Sequence, residues 1–397
     1  MRIKYVSPYR SHGYFTAAKR HVLGLARAGI PVTWAPMEPE DRWSLSLRPF
    51  AGTSVGDGEL DRFCNAPLDY DTVIIHAHPY HVPRWAAPER GKRVIAYTIW
   101  DTDHLPREWP EFLSHAERVL VPSRWCRRVF AESGVRPPVD VVPYIADPAC
   151  AAGDARVRET GGAEVVFYTV GTWTARKGVE ATIRGFLDTF TADDGVRLVV
   201  KTSPFTYRES GLARLRPARR LYRALRRARA VPGVTRRPDA AEAVERLRRR
   251  HPRPPRVDVI AEELSRDRLI ELHRSGDCFF SLTHAEGWCP EAFDAAACGS
   301  PVVMTGFGGP LDYLDPELAG LVGYDLVRVR DDDDPKHFTR DQRWAQPRAA
   351  EASALLRAVR ARPEAALARA ARLQRRIHDE FGEQAGTRRL LAAIGAP

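Results

Sequence analysis

The chain has 397 residues, 44% of them hydrophobic and 28% charged, with a formal charge of +10 at pH 7. That length exceeds what one hydrophobic core organises, so two domains of about 150 to 200 residues are expected, and no segment approaches the ~20 apolar residues of a membrane span. Most of the basic residues are arginine and alanine is abundant, a compositional bias rather than a patch built for one partner, and without a recognisable DNA or RNA module it does not indicate nucleic-acid binding.

Residues 2–7 form an extended run rather than a charged cap followed by an apolar signal region, which predicts a cytoplasmic address. The six cysteines, Cys64, Cys126, Cys150, Cys278, Cys289 and Cys298, contain no CxxC pair and no metal-ligand rhythm, so they are expected to be reduced and mostly structural. The first run meets Ser7-Pro8-Tyr9-Arg10-Ser11-His12-Gly13, and helical spacing follows over 17–28, with Val22, Leu23, Leu25 and Ala26 apolar. Gly29 closes that helix and Pro31-Val32-Thr33-Trp34-Ala35 opens the next strand.

Further strands are predicted at 72–76, 93–98, 118–122 and 139–143, with a helix at 109–116 and another, capped by Ser123 and ended by Gly134, running to residue 133. Strands alternating with helices at this spacing imply a mostly parallel sheet covered on both faces, so 1–150 reads as a Rossmann-like domain. The stretch 151–163, rich in Ala, Gly and Asp, reads as a linker.

Beyond it the alternation restarts, with strands at 164–170, 196–202, 257–260, 278–282 and 301–304 and helices at 178–190, 266–275 and 290–297. A second Rossmann-like domain is therefore expected over 164–375, interrupted by an arginine-rich insertion or helical hairpin at 208–256. Residues 349–393 predict a long amphipathic helix with Leu355, Leu356, Val359, Leu367, Leu373 and Ile377 available to a core. Its final part, 376–397, is expected to return to the first domain, and the acidic run 331–334 reads as a solvated loop.

Two successive α/β domains leave a cleft, and open sheets of this kind bind ligands at the carboxyl ends of their strands. The loop Val170-Gly171-Thr172-Trp173-Thr174-Ala175-Arg176-Lys177-Gly178 sets two adjacent cations at a helix start, where like charge is disfavoured unless an anion is near. Fixed cations there suit a leaving nucleoside diphosphate. The segment Glu286-Gly287-Trp288-Cys289-Pro290-Glu291-Ala292-Phe293-Asp294 runs from loop into helix. Pro290 suits the first helical turn, so the backbone N–H groups near Cys289 to Ala292 would point into the cleft as an anion site. Glu286 would accept from sugar hydroxyls and Asp294 from a ribose diol.

With Ala295-Ala296-Ala297-Cys298-Gly299-Ser300-Pro301 following, this loop resembles the signature of retaining nucleotide-sugar glycosyltransferases of the GT-B architecture. In that signature a Glu, seven residues and a second Glu precede Ala-x-Ala-x-Gly-x-Pro. Here the second acid is Asp294, and Cys289 stands where the family often has Gly. Gly171 to Gly178 resembles the family's phosphate loop, with Thr172 where many members carry Arg and Arg176 able to supply that cation. Gly306-Phe307-Gly308-Gly309-Pro310-Leu311-Asp312-Tyr313 resembles its Gly-Gly loop, and Val121-Pro122-Ser123 and Val142-Pro143 the end of its acceptor domain.

The resemblance implies two Rossmann-like domains facing across a cleft and a retaining, metal-independent transfer from a nucleotide-diphosphate sugar to a hydroxyl acceptor, with no cofactor. It implies a catalytic set of Lys177, Arg176, Glu286 and His78, the last favoured over His76, and donor contacts at Gly13, Thr172, Gly287, Trp288, Cys289, Pro290 and Asp294. Asp101-Thr102-Asp103 has metal-ligand spacing but reads better as a polar or acceptor-recognition loop. The acceptor is left open among glycans, small metabolites and lipid-linked sugars. Peripheral contact of the 208–256 segment with an anionic membrane is the lesser reading beside a solvated basic face. A catalytically silent sugar-nucleotide binder on the same scaffold is the alternative; a phosphorylase ranks below it, since no lysine is arranged for pyridoxal phosphate.

Overall fold

The structure is a computed structural model that describes residues 1–9, 12–40, 46–151, 164–204, 239–331, 334 and 336–395. The candidate linker from residue 152 onward and the basic segment 205–238 lie outside the described residues.

The first unit opens with β1 (Ile3–Pro8), α1 (His12–Arg27), β2 (Val32–Pro39), β3 (Leu47–Pro49), β4 (Thr72–His76), α2 (Val82–Ala86) and β5 (Arg93–Tyr97). It continues through α3 (Trp109–Leu113), β6 (Arg118–Val121), α4 (Arg124–Glu132), β7 (Val139–Val141) and α5 (Pro148–Ala151). The strands form one sheet in the order β3-β2-β1-β4-β5-β6-β7, parallel except for the short antiparallel edge β3. All five residues of β4 are buried, as a central strand covered on both faces requires. Ser123 caps α4 by accepting the Cys126 N–H, and Gly29 and Gly134 take the left-handed conformation just after α1 and α4.

The second unit contains β8 (Val165–Val170), α6 (Val179–Thr189), β9 (Val196–Lys201), α7 (Ala240–Arg248), β10 (Arg256–Ile260), α8 (Arg266–Ser275) and β11 (Cys278–Ser281). Then come α9 (Pro290–Ala297), β12 (Val302–Thr305), β13 (Gly320–Val322), β14 (Tyr324–Arg328) and β15 (Arg343–Pro347). Its sheet is wholly parallel, in the order β10-β9-β8-β11-β12-β13. The expected insertion at 208–256 needs correcting, because α7 and the start of β10 belong to this unit. Ala240, Ala243, Val244 and Leu247 lie one helical repeat apart and are buried in its core, a stripe that the flanking arginines hide in the sequence.

The expected single C-terminal helix is three: α10 (Ala349–Ala361), α11 (Pro363–Phe381) and α12 (Glu383–Ala393). Proline at the first position of α11 interrupts the ladder, and at Gly382 a side chain would meet the His378 carbonyl at 2.4 Å. Of the predicted apolar face, Leu356, Val359, Leu373 and Ile377 are buried, while Leu355 and Leu367 are half-buried. After Gly382 the chain crosses to the first unit: Gly24 of α1 lies against Thr387, Gly386 against Ile145, and Arg93 donates to the Ile394 carbonyl. One apolar cluster consequently runs from Ile3, Tyr5 and Trp34 through Tyr144 to Trp288, Phe293 and Phe381.

Two further expectations are overturned. Cys150 and Cys298, 148 residues apart, form a disulfide because α5 packs on the end of α9; Cys64, Cys126, Cys278 and Cys289 are free and buried. The acidic run is not simply solvated, since Asp331 is buried and Asp334 accepts from His337. It sits on the arm between β14 and β15, which reaches the first unit: Phe338 stacks on Trp100 at 4.9 Å and Gln342 bonds Thr102 at 3.1 Å.

Candidate active site

The phosphate-loop candidate connects β8 to α6, and its last residue fixes its course. Gly178 sits at φ +59°, and a Cβ there would lie 2.1 Å from the Leu282 carbonyl oxygen, so only glycine lets the loop press on the end of β11. This contact sets Arg176 and Lys177 beside the loop after β11. Lys177 Nζ lies 2.9 Å from Glu286 and 3.0 Å from Glu291. Arg176 lies 3.3 Å from Glu286 and 3.2 Å from Asp101, and donates to the Ala285 carbonyl at 3.0 Å.

The partner loop is shaped by close backbone approach. Gly309 N–H donates to the Glu286 carbonyl at 2.8 Å, and a Cβ on Gly309 would fall 1.7 Å from the Gly287 carbonyl oxygen. The Gly-Gly segment therefore packs directly against Glu286-Gly287. From the first unit, Asp101 accepts the Gly287 N–H at 2.7 Å and Ser123 donates to the Gly287 carbonyl at 2.8 Å. Lys177 and Arg176 thus meet at Glu286 between the carboxyl ends of the two sheets, with Asp101 joining Arg176 to the Gly287 N–H.

Burial tunes these groups. It pushes the Glu286 carboxyl above its ordinary range, against the opposing pull of Lys177 and Arg176. Burial acts the same way on Glu291, but there Lys177, the backbone N–H and the direct hydrogen bond prevail and the carboxyl is held low. Lys177 and Arg176 lose solvation too, yet the surrounding carboxylates hold both more firmly charged than in water. Three carboxylates surround two cations, so the cluster neutralises its own positive charge.

Cys289 caps the start of α9 in the left-handed conformation, φ +61° and ψ +77°, one of two non-glycine residues with positive φ among the described residues. A side chain there costs about 1–2 kcal/mol of backbone strain, which offsets what its buried thiol contributes by packing. Cys289→Gly is expected to leave stability within about 1 kcal/mol of the parent, and the β-branched Cys289→Val to lower it by about 2 kcal/mol or more, read from urea midpoints. Equal loss in both would show that packing, not backbone conformation, governs the position.

The other expected positions are spread more widely. Thr172 is exposed in its loop. Gly13 lies exposed in the first turn of α1 rather than in a loop ahead of it, with nothing within 4 Å of where a Cβ would stand. The Trp288 ring is fully buried among Tyr144, Phe293, Tyr313 and Phe381. The two histidines separate: His76 is stacked on Tyr97 at 4.0 Å and bonded to Tyr5 inside the sheet, whereas His78 stands beyond the strand beside Tyr14, Tyr80 and Trp109. Burial, followed by the neighbouring His337 and His81, pulls His78 down to about 3, so its ring is neutral at pH 7.

Asp294 does not join the Lys177 cluster; both its oxygens accept from Arg20 of α1, at 3.1 and 3.2 Å. Sequence reading missed Arg20, Glu291 and the cross-cleft role of Asp101. Asp101 and Asp103 turn to different partners, Arg176 and Arg343. Glu291 alone left a signal, as the acid in the first turn of α9.

Among known structures, the chain is similar to Anabaena HepE in complex with UDP-glucose at 12% identity and a TM-score of 0.62, covering 100% of this chain and 99% of that one. Sucrose-phosphate synthase from Thermosynechococcus elongatus matches at 14% identity and a TM-score of 0.63, over 100% and 98%. An α,α-trehalose-phosphate synthase (UDP-forming) from Burkholderia vietnamiensis matches at 14% and 0.61, over 100% of both chains. The chain has the GT-B fold. No protein-family model matches it, nor does any curated protein. In this GT-B chain the Lys177 cluster occupies the groove between the facing sheets, and no helix among the described residues is long and apolar enough to cross a membrane.

Proposed function

We propose that the chain is a retaining glycosyltransferase that moves a sugar from a nucleotide-diphosphate sugar to a hydroxyl acceptor without a metal or cofactor. The observation that carries this reading is the convergence of Lys177 and Arg176 on Glu286 at the start of α9, inside the groove. Similarity to structures solved with UDP and UDP-glucose bound supports it.

In this reading the donor diphosphate takes the place of Asp101 at Arg176 and the Gly287 N–H, and of Glu291 at Lys177. The two cations and the backbone N–H groups near Cys289 to Ala292, Pro290 excepted, then stabilise the charge that grows on the leaving phosphate. Glu286 accepts from hydroxyls of the transferred sugar, and neutral His78 lies on the acceptor side. Retention follows from attack on the face that the phosphate leaves, with the departing phosphate taking the acceptor proton, so no protein base is required. The acceptor is a glycan, a small metabolite or a lipid-linked sugar, and the site of action is the cytoplasm.

A thermal-shift panel of nucleoside diphosphates and their sugars tests the reading. At 100 times its dissociation constant the correct nucleotide should stabilise the chain by about 2.7 kcal/mol, on the order of 3–5 °C. No shift with any member of the panel would overturn the proposal. The silent-binder reading draws support from Asp294 being occupied by Arg20; donor hydrolysis by the unmodified chain, absent for a binder, separates the two.

A further inference from the structure

Beside Asp294 lies a cavity of about 300 Å³ bounded by both units. Its apolar wall includes Phe15, Leu264, Leu269 and Ile270, and His273, whose buried Nε2 has no partner among the described residues, lines it as well. Asp294 is four residues along α9 from Pro290, about 6 Å of helix rise. On the donor reading above, a nucleoside extending along α9 from a diphosphate at the helix start would be directed past Asp294 toward this space.

The carboxylate on that path is already committed. Arg20 donates Nη1 to Asp294 Oδ1 and Nη2 to Oδ2, a two-pronged pairing that uses both oxygens. Arg20 is held there independently of Asp294. Its Nη1 also bonds the Ile145 carbonyl at 2.9 Å and its Nη2 Asp147 at 3.2 Å, while Asp147 is fixed in turn by Arg266. Only 12% of the Arg20 side chain and 4% of that of Asp147 are exposed, so the guanidinium cannot swing into solvent without unpairing buried charge. The aspartate arm is also shorter by one methylene than the glutamate of the pattern the loop resembles.

Resting on the donor reading above, we infer that Arg20 is a specificity-determining residue: it occupies Asp294 so that the site does not read the ribose 2′-hydroxyl, and ribo- and 2′-deoxyribonucleoside diphosphates are accepted alike. A hydrogen bond from a hydroxyl to a charged acceptor corresponds to roughly 10- to 150-fold in Kd. This site forgoes that discrimination.

Calorimetric titration of the unmodified chain with UDP and dUDP, GDP and dGDP, and ADP and dADP tests the inference. For the base that binds, the ribo and deoxy affinities should agree within about threefold; a ribo preference of about tenfold or more overturns the inference while leaving the donor reading intact. Binding by none of the six overturns the donor reading, and the inference with it. In Arg20→Ala, Asp294 is released and a ribo preference of at least about tenfold should appear; an unchanged ratio in that variant removes Arg20 from the role. The comparison in the unmodified chain stands even where the variant does not fold.

Discussion

Replacing Lys177 by alanine is expected to lower turnover of the nucleotide sugar by roughly two orders of magnitude or more, the scale of losing one preorganised donor to a developing oxyanion. The same change strips the cation from buried Glu286 and partly exposed Glu291, and breaking a buried pair from one side costs about 3–5 kcal/mol of stability. Rate and stability must therefore be separated. Initial rates should be taken well below the melting point of the variant and divided by the folded fraction from circular dichroism. Lys177→Arg keeps the charge and should recover most of the stability but only part of the rate, because the planar fork cannot reproduce the position of the ammonium. Near-normal turnover by folded Lys177→Ala would remove the cation from the mechanism.

Acid should destabilise the chain well above the pH at which carboxylates titrate. Burial lowers His21 and His78 to about 3 and His81 and His273 to about 4, and holds His76 well below its ordinary value. Each binds its proton more readily in the unfolded chain, near pH 6.5. The stability that these neutral rings contribute is thus complete above about pH 6.5 and is lost progressively as pH falls toward 4 and 3. Each contributes up to about 1.4 kcal/mol per pH unit inside that window, so five together can remove the whole of an ordinary stability of about 5–15 kcal/mol within two to three units. Urea midpoints measured every half unit from pH 7.5 to 4.5 should fall steeply below about 6.5. A flat profile down to pH 5 would mean that these rings are hydrated or hydrogen-bonded when charged.

Much of the architecture can be read locally because its determinants are local. The strands 72–76 and 118–121, the helices 266–275 and 290–297, and the cap at Ser123 follow from apolar runs, helical spacing and a side-chain acceptor three residues from its donor. The glycines at 178 and 309 stand in the loops that the resemblance singled out, but their close backbone approach to Leu282 and Gly287 shows only in the fold. Less legible were elements whose stability is borrowed from partners. The edge strand β3, the arm of β14 and β15, and α7 between basic flanks are each too short or too polar to announce themselves.

Two alternating α/β units, a cationic loop after β8 and an acid-bearing segment before α9 follow from the order of residues alone, since apolar runs, turn residues and neighbouring charges signal them locally. What those groups face is a matter of the folded chain. Asp101 with Arg176, Arg20 with Asp294 and Cys150 with Cys298 are pairings between residues far apart in the chain. They exist because the order of strands in each sheet, and the closure of one sheet's carboxyl edge on the other, bring those side chains together where the two units meet, which spacing along the chain does not encode.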